Sequence, residues 1–360
     1  MKIITIIGAR PQFVKAGVVS GALAQKNNIE EVVVHTGQHF DANMSDIFFE
    51  QLSMKKPKYN LDINGGSHAD MTAKMMVGIE KILINEKADA LMVYGDTNST
   101  LAGALAASKI HVPVIHVEAG LRSFNMKMPE EVNRILTDRI SNVVFCPTDS
   151  AVQNLKDEGF DKTDIKIVKN GDVMQDAAMR MREFAQRPEM LKEDIDQFMV
   201  CTFHRPSNTD DQDNLEQIIS ALNELHEKVI PIVLPLHPRT KSALEKSGMQ
   251  LNVHTIDPVG YLEMLWLLDN SSLVLTDSGG LQKEAFFFEK PCVTMRDQTE
   301  WIELIDIGAN VLTGADKVRI ISAVKDMMGR QINDNGNLYG RGCASECIAD
   351  VLEELFVKNA

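Results

Sequence analysis

The stretch ALMVYGDTNSTLAGALAAS, residues 90–108, holds the repeating unit of the whole chain. Its first five residues form an apolar run of the length and composition of a strand buried on both faces. The polar turn Gly95-Asp96-Thr97-Asn98-Ser99 follows, and residues 99–108 continue as an amphipathic helix. Working outward, Lys2–Ile7, residues 31–35, Val114–Val117 and Val143–Cys146 read as further buried strands, with residues 67–85 a second helical segment. Together they predict one doubly wound parallel unit ending near residue 175. The pattern then restarts: residues 198–203, 230–236, 253–256, 272–276 and 292–295 predict a second parallel sheet. The polar, Met-rich residues 177–196 read as a connecting helix and linker, and residues 346–356 as a final amphipathic helix. Two such α/β lobes facing each other would place a ligand cleft between the carboxyl ends of both sheets.

A length of 360 residues suits two domains better than one. Lys and Arg number 37 against 51 Asp and Glu, a net charge of −14. Such acidity argues against a nucleic-acid or anionic-membrane surface, but not against a small anionic ligand met by a few local cations. The apolar runs are strand-sized, far short of a membrane span, and Met1-Lys2 leads straight into a strand, so no secretory signal is expected. Five cysteines without metal-ligand spacing read as reduced thiols of a cytoplasmic protein.

Polar clusters follow the strands of both lobes. Gly8-Ala9-Arg10-Pro11, Gly95-Asp96-Thr97 and Glu118-Ala119-Gly120-Leu121-Arg122 lie in the first; His204-Arg205, His237-Pro238-Arg239 and Asp277-Ser278-Gly279-Gly280 lie in the second. Each alone reads equally as a turn or a cap, but six at strand ends point to a shared site. Ser278, Gly279 and Gly280 open a helix at residues 281–288, where close backbone approach and free N–H groups suit a phosphate. Arg10 and Lys15 are cations for the same anion, and Glu284 is placed to accept from ribose hydroxyls. No GxGxxG follows any strand, which disfavours a dinucleotide cofactor. Asp96, Glu118, Glu130 and His204 are the candidate proton carriers. Glu130 and Arg134, four apart after Pro129, face one side of a helix start.

These residues, with His35-Thr36-Gly37-Gln38-His39 and Pro129-Glu130-Glu131-Val132-Asn133-Arg134, resemble in order the non-hydrolysing UDP-N-acetylglucosamine 2-epimerase family from residue 2 to about 345. The resemblance implies a glycosyltransferase-B fold: Rossmann-like lobes over residues 1–176 and 177–342, and a C-terminal helix in 343–360 crossing back to the first. It also implies a homodimer acting on a UDP-linked amino sugar without metal or redox cofactor. Gln12-Phe13, residues 40–45, 124–128 and Arg296-Asp297-Gln298-Thr299-Glu300-Trp301 look most like the branch that includes UDP-2,3-diacetamido-2,3-dideoxyglucuronate 2-epimerases of bacterial O-antigen synthesis.

Inverting C2 of such a sugar has no adjacent carbonyl to acidify the hydrogen. A route by expulsion of UDP and re-addition to a 2-acetamidoglycal needs an acid/base set and cations on the leaving diphosphate. By resemblance Asp96, Glu118, Glu130 and His204 serve the proton transfers and the leaving group. Arg10, Ser278, Gly279 and Gly280 hold phosphates and Glu284 the ribose, while Lys15, Arg134 and His237 complete the pocket. A UDP-N-acetylglucosamine epimerase, a retaining glycosyltransferase, a hydrolytic epimerase and a pure binding module are the rival readings.

Overall fold

The structure, a computed structural model, describes residues 1–37, 54, 56–192, 195–334 and 338–356. The chain divides into two units, Met1–Arg180 with Gly336–Ala360, and Met181–Asn335.

The first unit is built on seven parallel strands. They are β1 (Lys2–Ile7), β2 (Glu30–His35), β3 (Tyr59–Asn60), β4 (Ala90–Tyr94), β5 (Val114–Val117), β6 (Val143–Cys146) and β7 (Lys166–Lys169). Their order in the sheet is β3-β2-β1-β4-β5-β6-β7. The second unit has six: β8 (Met199–Thr202), β9 (Ile232–Pro235), β10 (His254–Ile256), β11 (Leu273–Thr276), β12 (Cys292–Thr294) and β13 (Asn310–Leu312), ordered β10-β9-β8-β11-β12-β13. All pairs are parallel, with Ile3 opposite Ala90 and Met199 opposite Leu273. The order reverses once in each sheet, beside β1 and β4 and beside β8 and β11. There the loops leave in opposite directions and open a crevice at the carboxyl ends.

The central strands are buried on both faces because helices cover both sides. Ile4 and Ile6 pack with Ile79 and Ala102 in the first unit, and Met199 and Cys201 with Leu215, Leu222 and Val324 in the second. Three strands escaped the sequence reading: β3, β7 and β13, all at sheet edges. An edge strand pairs on one side only and is kept short or charged. The sequence of β7 is Lys-Ile-Val-Lys with both lysines exposed, so it lacks the apolar run of a central strand. The helix Ala344–Phe356 packs on the helix Arg10–Leu23. Its first turn is held by Asp176, which accepts from the N–H groups of Ala344 (3.1 Å) and Ser345 (2.7 Å). Among the described residues no helix is long and apolar enough to cross a membrane.

Candidate active site

In the first unit the turn after β1 is held by Gln12. Its amide oxygen accepts from Gly8 N (2.8 Å) and Ala9 N (3.0 Å), and its amide nitrogen donates to Tyr94 O (2.8 Å) at the end of β4. This residue, a branch marker in the sequence, is buried and spent on bracing the β1 and β4 loops. Gly8 cannot be replaced there: a Cβ would lie 2.1 Å from Thr36 Oγ1 and 2.2 Å from Ser99 Oγ.

One turn into the helix Arg10–Leu23, Lys15 forms a nearly buried ion pair with Glu118, the residue after β5. Glu118 has φ 69°, a left-handed conformation that a non-glycine residue holds only under constraint. Gly95 lies against this pair, since a Cβ on it would meet Glu118 Oε2 at 3.1 Å and Lys15 Nζ at 3.6 Å. Asp96, next in the chain, is bonded by Arg134 through Nε at 3.1 Å and through Nη2. Asn133 donates to the Asp96 carbonyl at 2.9 Å. Lys15, Asp96, Glu118 and Arg134 are thus set around the ends of β4 and β5.

Glu130 stands apart from this cluster: it is exposed in the first turn of the helix Pro129–Ile140. The carboxylate that Arg134 takes on its own helix is Glu131, at 2.9 Å. Glu131 is fully buried and also accepts from Phe124 N at 2.8 Å. Burial opposes its ionisation, but bonds from the Ser123 and Phe124 N–H groups prevail and hold its carboxyl below the usual range. Below the site His116 Nδ1 meets Asp138 at 2.7 Å and its Nε2 meets Gly95 O at 2.7 Å. Asp138 also accepts from Arg122 (2.7 Å) and Gly120 N (3.2 Å), so one buried carboxylate ties the β4 and β5 loops to the helix Pro129–Ile140. Sequence reasoning passed over Glu131 and Asp138; spacing of three from Arg134 was the one available signal for the former. The Arg10 side chain, Gln38, His39 and residues 40–45 lie outside the described residues.

In the second unit Asp277, buried at the end of β11, accepts from His204 N (3.0 Å), Arg205 N (2.9 Å) and Asn208 Nδ2 (3.0 Å). This fixes the turn after β8. The His204 ring stacks on His237 with centroids 4.9 Å apart, and His237 Nδ1 caps the helix Pro238–Ser247 by accepting from Arg239 N. Burial, then the neighbouring His204 and Arg239, push the His237 imidazole below its ordinary value. His204, His237 and Ser278 line a cavity of about 210 Å³ whose walls include Pro235, Val259 and Leu281. Ser278 caps the helix Gly279–Phe287, and Glu284 sits half-buried on it. Trp301 Nε1 donates to Gly279 O at 2.8 Å, and Lys283 lies 4.1 Å over the Trp301 ring centroid. A Cβ on Gly279 would lie 3.6 Å from Glu300 Oε2, 3.7 Å from Arg205 Nη2 and 3.8 Å from Arg296 Nη1, so two guanidinium groups and one carboxylate border the opening turn. Arg296 is bidentate to Glu300 at 2.9 Å and 2.9 Å. No cluster of three or more potential metal ligands occurs among the described residues.

Two doubly wound units with polar loops at their switch points are the glycosyltransferase-B class of fold, and the chain belongs to the UDP-N-acetylglucosamine 2-epimerase family, which matches residues 21–353. It is 59% identical to the UDP-2,3-diacetamido-2,3-dideoxy-D-glucuronate 2-epimerase of Pseudomonas aeruginosa over 99% of this chain and 100% of that one. A UDP-N-acetylglucosamine 2-epimerase of Methanocaldococcus jannaschii is 41% identical, covering 98% of this chain and 99% of its own. The crystal structure of the Methanocaldococcus jannaschii enzyme with UDP-GlcNAc and UDP matches 98% of this chain and 100% of its own, with TM-score 0.83 and 42% identity.

Proposed function

We propose that the protein inverts C2 of a UDP-linked 2-acetamido sugar, with UDP-2,3-diacetamido-2,3-dideoxy-D-glucuronate the preferred substrate. The observation that carries the chemistry is the pairing of two strand-end carboxylates with fixed cations: Glu118 with Lys15, and Asp96 with Arg134. A carboxylate so held keeps one position and exchanges a proton without reorganising its surroundings. The identity of 59% to the diacetamido-glucuronate epimerase favours that sugar over UDP-N-acetylglucosamine, to whose Methanocaldococcus epimerase the identity is 41%.

In the proposed reaction the C2 proton passes to a carboxylate of the first unit. The C–H electron pair forms the C1–C2 double bond while the C1–O bond breaks and UDP departs. Protonation of C2 on the opposite face and re-addition of UDP at C1 complete the inversion. In the second unit the opening turn of the helix Gly279–Phe287, bordered by Arg205 and by Arg296 with its partner Glu300, would hold the diphosphate, with Arg296 exchanging Glu300 for the phosphate. The cavity by His204 and His237 would take the nucleoside, and Glu284 its ribose. Arg10 would add a phosphate contact and Glu130, at the exposed helix start, would act from solvent-accessible ground on the sugar. A homodimer is the proposed assembly.

Turnover in deuterated water without added nicotinamide tests the route. Deuterium should appear at C2 of the recovered nucleotide sugar, and retention of C2 hydrogen through turnover would exclude it. In the same assay kcat/KM should favour UDP-2,3-diacetamido-glucuronate over UDP-N-acetylglucosamine by about tenfold or more, or about 1.4 kcal/mol.

A further inference from the structure

Glu131 carries no role in the reaction described so far, yet it is fully enclosed and shares Arg134 with Asp96. Its side chain has no exposure to solvent. One oxygen accepts from Ser123 N (3.1 Å) and Phe124 N (2.8 Å); the other accepts from Ser123 N (2.9 Å) and Arg134 Nη1 (2.9 Å). Arg134 presents the rest of its guanidinium to Asp96. A carboxylate shut away from water is costly unless its lone pairs are used, and here they are used on two separate parts of the site. The loop that it grips is under constraint: Phe124 has φ 57° and its ring is exposed, so the two N–H bonds keep in place a conformation the residue would not choose alone.

We infer that Glu131 is a positioning residue that fixes Arg134 on Asp96 and, from the same carboxylate, locks the loop at Ser123 and Phe124. This rests on the epimerase reading, in which Asp96 takes part in the proton transfers. A guanidinium is planar and rigid, so two anchors on different edges hold its plane, whereas one anchor leaves it free to turn. Asp96 would then lose its fixed partner geometry. The proton-transfer step suffers from such a displacement, while binding of UDP in the second unit does not depend on it.

Glu131→Gln separates the two duties. The carboxamide oxygen still accepts from Ser123 and Phe124, but its NH2 cannot accept from Arg134. In the full-length protein we expect kcat to fall about tenfold or more, with KM and UDP affinity within about threefold of the parent. Glu131→Asp keeps the charge but shortens its reach, and should lower kcat about threefold or more at unchanged UDP affinity; it serves if the glutamine variant does not fold. Unchanged kcat in a folded variant overturns the inference, as does a loss that appears in KM and UDP affinity instead. Absence of C2 exchange in the parent protein would defeat the epimerase reading itself, a result distinct from a parent that turns over and a variant that keeps pace with it.

Discussion

At the strand ends of the first unit the polar groups are side chains locked in ion pairs: Lys15 with Glu118, and Arg134 with Asp96 and Glu131. At those of the second unit the turns are set by backbone contacts. Asp277 takes up the His204 and Arg205 N–H groups, which leaves the side chains of those residues to face the site, and the helix Gly279–Phe287 begins with two residues that have no side chain. The contrast fits the two tasks proposed for the units. A proton carrier has to be a titratable side chain, and its position is only as good as the partners that hold it. An anion can be held by peptide N–H groups whose positions covalent geometry already sets, provided nothing blocks the approach. The first unit therefore concentrates buried charge, and the second concentrates small residues and caps.

The sharpest test of this division is Glu118→Gln. It should lower kcat about 10²- to 10⁴-fold and leave UDP affinity, measured by calorimetry, nearly as it was. A comparable loss in UDP affinity would erase the distinction between the units.

Stability should divide the same way. Asp138→Ala leaves Arg122 with Glu158 as its one carboxylate partner and deprives the buried His116 Nδ1 of its own, and is expected to cost about 3–5 kcal/mol. Asp277→Ala leaves neutral donors behind and should cost about 1–3 kcal/mol. Urea midpoints of the two variants check the order; a larger loss for Asp277 would contradict it.

A smaller effect is expected at Trp301. Trp301→Phe keeps the ring but removes the N–H that holds Gly279 O, a bond worth about 1 kcal/mol. UDP should bind about fivefold more weakly, with kcat little changed; titration calorimetry and steady-state rates read the two separately. An altered kcat at constant affinity would move Trp301 into the chemistry.

The smallest effect concerns pH. The Glu131 carboxyl is held below its ordinary value in the native protein, so the folded state binds fewer protons there than the unfolded one. Its contribution to stability is present above the unfolded value of about 4.3 and is lost as pH falls through the lower folded value. Thermal midpoints of the parent and Glu131→Gln should therefore differ from pH 7 down to about pH 5 and converge only as the pH falls below about 4, through the lowered folded value. A gap that persists would show that the carboxylate's charge is not what stabilises the loop.

Much of the candidate site was legible because its residues sit at a fixed place in a repeating pattern. Asp96, Glu118, His204 and Ser278 all stand within two residues of a strand end, and strand ends are marked by the change from an apolar run to a polar turn. Glu131 and Asp138 sit inside an amphipathic helix, where acidic residues ordinarily face water, so nothing local marks them as buried. Spacing leaves the partner of Arg134 open for the same reason: Arg134 lies four residues from Glu130 and three from Glu131, and both spacings share a helix face. Only the neighbouring loop, with its N–H groups at Ser123 and Phe124, selects Glu131.

The sequence by itself determined the two parallel sheets, their central strands and the family, because buried strands, turn residues and helix starts are written in local composition and spacing. The tertiary structure decided which carboxylate meets which cation, that Gln12 is spent on bracing the loops after β1 and β4, and that Trp301 clamps the Gly279 carbonyl. Those contacts join residues tens of positions apart. Hydrogen bonds and ion pairs act over about 3 Å, and that closeness arises only once the sheet order has brought distant loops to one edge.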